Sequence, residues 1–292
     1  MSVLPVTLVR EPDAVDERVR EAYRDIKASL RVPMVASLFQ AYASVPRFLD
    51  YTWRRLRPNA LAKPFVDRAA ALGQSTERSV AAWPIADHAA ELRARNVGEG
   101  DIARIREIAS MLVDVDPKIA IIAQAVRLAM GGALVGGGGT GAPATGADTE
   151  RLARDHRGLS LVIIEERDAP LRVRTVYEDF KKAVAAPFVS GEFRAMGAFP
   201  DWLEVWWRDM KKCAQSPRFA TLAHEIDDAA IEAARHFPYT LNLRDESLAR
   251  AEISPEERAR LARVNDTLCE MLPAVVIGTA LAHHGLRQEA RA

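Results

Sequence analysis

Between residues 15 and 30 the apolar positions fall at Val15, Val19, Ala22, Tyr23, Ile26 and Leu30. That spacing draws a single stripe along a helix and leaves charged side chains on the opposite face. Val32-Pro33 interrupts it, because proline disfavours helix in the residue before it and suits the first turn of a new one. A mostly apolar helix is expected to about residue 44, and Val45-Pro46 opens another that runs through Trp53. An Ala-rich helix follows over 65–95, with a break at Trp83-Pro84. Asp101 is placed to cap a helix over 102–113. Asp116-Pro117 is expected to break the chain again before an almost wholly apolar helix over 119–130, which must be buried. Residues 131–158, rich in glycine, read as a flexible linker. The pattern then resumes: a helix to 185, a break at Ala186-Pro187, helices to 212, an Ala-rich helix over 218–236, and a capping box at Ser254-Pro255-Glu256-Glu257. A last apolar helix follows Pro273. Only 159–164 is strand-like, and it is expected to pack as a short extended segment or a helix start. The fold class is all-α.

The second series repeats the first. At a shift of 154, residues 23–54 overlie 177–208 without a gap, and 11 of the 32 positions are identical, among them Tyr23/Tyr177, Pro33/Pro187, Phe39/Phe193, Pro46/Pro200 and Trp53/Trp207. A weaker match at a shift of 156 sets 101–121 over 257–277 and Pro117 over Pro273. The chain therefore divides into a first helical repeat (1–130), the linker (131–158) and a second repeat (159–292). Two copies in one chain are expected to pack about a pseudo-twofold axis, as a fused homodimer would.

Composition narrows the function by exclusion. In 292 residues there are 40 Lys+Arg and 40 Asp+Glu, so no net charge favours nucleic acid or an anionic membrane. No run reaches 18 apolar residues without a charge, and the N-terminus lacks the basic start and apolar core of a signal peptide. A cytoplasmic protein acting on a small molecule is the expectation, and a homo-oligomer is compatible with it. Cys213 and Cys269 form no CxxC pair and read as ordinary thiols. The six histidines make no HExxH or i,i+4 pair, so no metal site is expected. The glycine-rich stretch lacks GK[ST] and a preceding strand, which argues against a phosphate loop.

Candidate chemistry lies where the repeat is broken. Folding needs are met in both halves, so an acid opposite an apolar residue in the other copy stands out. Glu192 overlies Leu38, and Asp116 overlies Leu272. Each acid adjoins a proline turn and apolar helices, where a carboxylate is costly unless paired or used. The plain alternative is a helix-terminal acid in water.

The runs A-Y-R-D-I-K-A-S-L-R-V-P-M-V-A and V-P-R-F-L-x-Y-T-W-R-R, with D-V-D-P-K at 114–118 and G-E-F-R-A-M-G-A-F-P-D-W-L at 191–203, resemble the group I 2-haloacid dehalogenases, which accept both D and L enantiomers. The resemblance implies a pocket between the halves and no metal or cofactor. There a carboxylate at the position of Glu192 activates a water that attacks the halogen-bearing carbon directly and inverts it, and a residue at the position of Asp116 holds water and substrate. It also implies substrate contacts at Met34, Ser37, Gly191 and Ile119. The chain departs from the family pattern in that region: Glu192 stands for aspartate, Asp116 for asparagine, Met34 and Ser37 for aromatics, and Gly191 for serine. Two close carboxylates would repel an anionic haloacid unless one held a proton. Three readings follow: displacement of halide or a similar leaving group by water, ring closure by an amine nucleophile on the same scaffold, and a binding paralogue without catalysis.

Overall fold

A computed structural model describes residues 7–139 and 154–287. Its described residues form twelve α-helices: α1 (Glu17–Leu30), α2 (Ser37–Tyr42), α3 (Pro46–Ala60), α4 (Lys63–Val80), α5 (His88–Ala94), α6 (Glu99–Met130), α7 (Leu171–Ala183), α8 (Gly191–Met196), α9 (Pro200–Ala214), α10 (Pro217–Arg235), α11 (Asp245–Arg250) and α12 (Pro255–Gly285). No β-strand is present among them. A single antiparallel bridge joins Val135 to Leu241.

The apolar stripe of α1 is buried at Val19, Ala22, Tyr23, Ile26 and Leu30. Val15 lies ahead of the helix and is exposed, because Asp16 takes the cap and its side chain accepts from Arg18 N–H at 2.8 Å. Proline opens α3, α4, α9, α10 and α12 in the first turn, where its missing N–H has no helical partner to lose. The box at Ser254–Glu257 forms as expected, with both reciprocal bonds in place.

Two expected breaks are absent. Pro117 lies inside α6 and Pro273 inside α12, and both helices continue past them. Proline removes one backbone donor, but residues 115–126 are buried without interruption on every side. The packing that this burial provides outweighs one lost hydrogen bond. α6 also starts earlier than expected, at Glu99, so Asp101 sits in its first turn and Gly98 is the cap.

α6 and α12 run against each other through the middle of the molecule, with α4 and α10 alongside. The buried side chains of residues before and after the glycine-rich stretch form one continuous core. By length and composition α12 could cross a membrane, but 78% of its apolar window is buried inside the protein, as for a core helix. The start of the expected linker is also docked. Val135 is fully buried, Gly137 N–H bonds Phe237 O at 3.1 Å, and Gly139 N–H bonds Pro238 O at 2.9 Å. At Gly136, with φ +73°, a Cβ would stand 2.5 Å from Tyr239 O, so only glycine fits. The end of the expected linker is docked as well, His156 N–H bonding Arg31 O at 3.0 Å, and residues 140–153 between these ends lie outside the described residues. Residues 159–164 form neither a strand nor a helix.

Several bonds occur twice. Tyr23 Oη donates to Val9 O at 2.5 Å and Tyr177 Oη to Ile164 O at 3.1 Å. Trp53 Nε1 donates to Asp25 at 2.7 Å and Trp207 Nε1 to Asp179 at 2.8 Å. Val35 N–H and Val189 N–H each reach a glutamate, Glu11 and Glu166, at 2.9 Å. Those two glutamates pair in turn with Lys27 and Lys181.

Candidate active site

Asp116 and Glu192 meet inside the protein. Asp116 comes from the middle of α6, one residue before the proline, and is 1% exposed. Glu192 comes from the first turn of α8, a six-residue helix set between the Ala186-Pro187 turn and Pro200, and is 6% exposed. Both line one cavity, together with apolar side chains that include Leu30, Met34, Val115 and Ile119. The space open to a water among them is ≈ 10 Å³, about the room that one water molecule needs.

Electrostatics sets the two acids apart. Burial pushes the Asp116 carboxyl well above its ordinary value, and the Glu192 carboxylate beside it, as charge and as hydrogen-bond partner, pushes it further. The Thr279 hydroxyl from α12 opposes that shift. Asp116 Oδ2 is buried and has no hydrogen-bond partner among the described residues. Two carboxylates cannot both ionise at close range in a dry site without large cost, and the raised value favours the protonated form of Asp116. In that form it is a neutral donor, as an asparagine would be.

The other expected contacts divide. Met34 and Ile119 line the cavity with the two acids. Ser37 and Gly191 do not; they stand at its edge, where Gly191 N–H donates to Ser37 Oγ at 3.2 Å. A Cβ on Gly191 would come within 2.7 Å of Met34 Cε. The methyl end of Met34 therefore occupies the space that a serine at 191 would use. Thr279 was not singled out from the sequence. Extending the shift of 156 sets it over Ala123, the same polar-over-apolar signal that picked out the two acids.

Among the described residues no group of three or more His, Cys, Asp or Glu is arranged to hold a metal. Cys213 and Cys269 are free thiols. Burial pushes them up to about 11 and about 12 respectively, away from reactivity.

The chain is 26% identical over 277 residues to an (R)-2-haloacid dehalogenase of Pseudomonas putida, spanning 90% of this chain and 87% of that one. It is 27% identical over 253 residues to a configuration-inverting 2-haloacid dehalogenase of Pseudomonas sp. (strain 113), spanning 85% and 80%. The fold matches that of a D-2-haloacid dehalogenase mutant solved with D-2-CPA, with a TM-score of 0.88 at 24% identity over 96% of both chains. Residues 33–193, more than half of the chain and both of the paired acids, match the family described as Halocarboxylic acid dehydrogenase DehI, and the chain belongs to that family.

Proposed function

We propose that this protein is a hydrolytic 2-haloacid dehalogenase, with Glu192 as general base and Asp116 as a protonated donor. The observation that carries the reading is the pairing of these two acids, each opposite a leucine in the other half, around a space for one water in an apolar cavity. Glu192 takes a proton from that water while its oxygen attacks C2 of the substrate. The C–halogen bond breaks on the far side, the halide leaves with the electron pair, and a 2-hydroxyacid of inverted configuration forms. The Asp116 O–H holds the water in line. With Asp116 protonated the pair carries one negative charge rather than two, so an anionic haloacid is not excluded.

Halide release from (R)- and (S)-2-chloropropionate, with chiral analysis of the lactate formed, tests this. The likeness seen in the sequence extends to enzymes that take both hands, whereas the P. putida relative is named for the (R) acid; running each enantiomer alone distinguishes the two. Glu192→Gln is expected to lower the rate by at least ~10²-fold, in the range of a lost general base. Unchanged halide release in that variant, or retention of configuration, would overturn the assignment.

We also infer that the two halves descend from one unit and pack about a pseudo-twofold axis. Support comes from the bonds that recur in both halves, which involve the same residue types at the same spacing.

A further inference from the structure

We propose that Arg194 anchors the carboxylate of the substrate, receiving it on the Nε/Nη2 edge of its guanidinium beside Gly191, once the methyl end of Met34 moves aside. This rests on the haloacid reading above and adds the group that would recognise the acid end of the molecule.

The cavity wall poses the problem. Its lining is apolar apart from the two acids, so nothing in it receives a carboxylate. Arg194 lies just outside, two residues after Glu192 and one turn after Gly191 on α8, and its side chain is 3% exposed. Nη1 bonds Glu165 Oε2 at 2.6 Å. Nε is buried and has no partner among the described residues. Nη2 comes to 3.8 Å from the point where a Cβ on Gly191 would stand. Nε and Nη2 form the side edge of the guanidinium, the edge that receives both oxygens of a carboxylate. Arg157 and Arg172 use that same edge in this protein, on Asp155 and Glu204. On Arg194 it is unspent.

Two neighbours complete the receiving space. Ser37 Oγ also lies 3.8 Å from that Cβ point; it accepts from Gly191 N–H and keeps its own O–H to donate. Met34 Cε lies nearest of all, at 2.7 Å. Met34 is the part of the wall best able to yield: it is half-buried, unbranched and flexible. Glycine at 191 leaves the room, and Met34 fills it until a ligand arrives.

The charges allow it. Glu165 is shared by Arg194 and Arg10, the latter at 3.1 Å, so one carboxylate answers two guanidiniums and Arg194 is left under-neutralised. The repeat supports a special role as well. Arg194 overlies Gln40, whose amide simply bonds Val35 O at 2.8 Å within its own turn. A charge has been placed where the scaffold needs none.

Calorimetric titration of the whole protein with propionate, and with propionamide as its neutral twin, tests the anchor without requiring turnover. Wild type is expected to bind propionate more tightly than propionamide. Arg194→Gln, the residue of the other half, is expected to weaken propionate roughly 10-fold or more, the range for a hydrogen bond to a charged group, and to leave propionamide unchanged. Should that variant fold poorly, Glu165→Gln/Arg194→Gln removes both charges of the pair and is read in the same way. Equal propionate binding with and without the guanidinium, or a wild type that binds no propionate, sinks the anchor. A wild type that binds propionate through Arg194 yet releases no halide from 2-chloropropionate sinks the displacement reading and leaves the anchor standing.

Discussion

At the scale of single residues the site turns on one proton. Burial and its neighbour raise the Asp116 carboxyl well above its ordinary value, which gives it a measurable sign. An acid whose value is raised on folding favours the fold fully below its ordinary value, here 3.8, and loses that effect as pH climbs toward the raised value. Asp116→Asn keeps a donor and cannot ionise, so its melting temperature is expected to gain on wild type as pH rises from 5 to 9. Parallel melting curves across that range would show that Asp116 is not held protonated. In activity, Asp116→Asn is expected to stay within about tenfold of wild type, whereas Asp116→Leu, the residue of the other half, removes the donor and loses roughly 10²-fold or more. Glu192 and Asp116 were legible in the sequence because each broke the repeat toward charge. Arg194 broke it too, from Gln40, but arginine in a sequence reads as surface until its burial is known.

At the scale of elements, most helices followed from the stripe of apolar positions and from proline at their first turns, and the exceptions have one cause. Pro117 and Pro273 read as breaks because proline removes a backbone donor, but no local pattern carries the information that both flanks would be fully buried. Gly73 on α4 shows how tight that packing is. A Cβ there would stand 3.2 Å from Val113 O and 3.3 Å from Pro117 Cγ, on backbone and ring atoms that cannot swing away. Gly73→Ala is expected to cost about 1–3 kcal/mol, the usual penalty of overpacking, seen as a lower midpoint in urea. The loss should reach activity as well, since the strain falls on the turn that carries Asp116. A stable and fully active Gly73→Ala would mean that α4 can move off α6 at little cost. Gly136 was read as linker for a similar reason: its neighbour Tyr239 is about a hundred residues away, and nothing local to the glycines announces it.

At the scale of the whole molecule, the duplication proposed above would offer a second site, with Leu38 and Leu272 at the places of Glu192 and Asp116; both leucines are buried. One propionate per chain is therefore expected at saturation, and a stoichiometry of two would show that a second pocket binds without the acids. Replacing Leu38 with Glu should create no second active centre by itself, because Leu272 supplies no donor and Gln40 no cation; the check is halide release in an Asp116→Leu/Leu38→Glu chain.

The bonds that occur twice, Trp53 with Asp25 and Trp207 with Asp179, have a consequence for how such a site could arise. In a homodimer every substitution is written into both copies at once, so a glutamate at the position of Leu38 would have appeared on both sides together. Joining the copies in one gene releases each from the other. On the duplication proposed above, one half could then keep its leucine as wall while the other acquired a base, an independence that two identical subunits do not have.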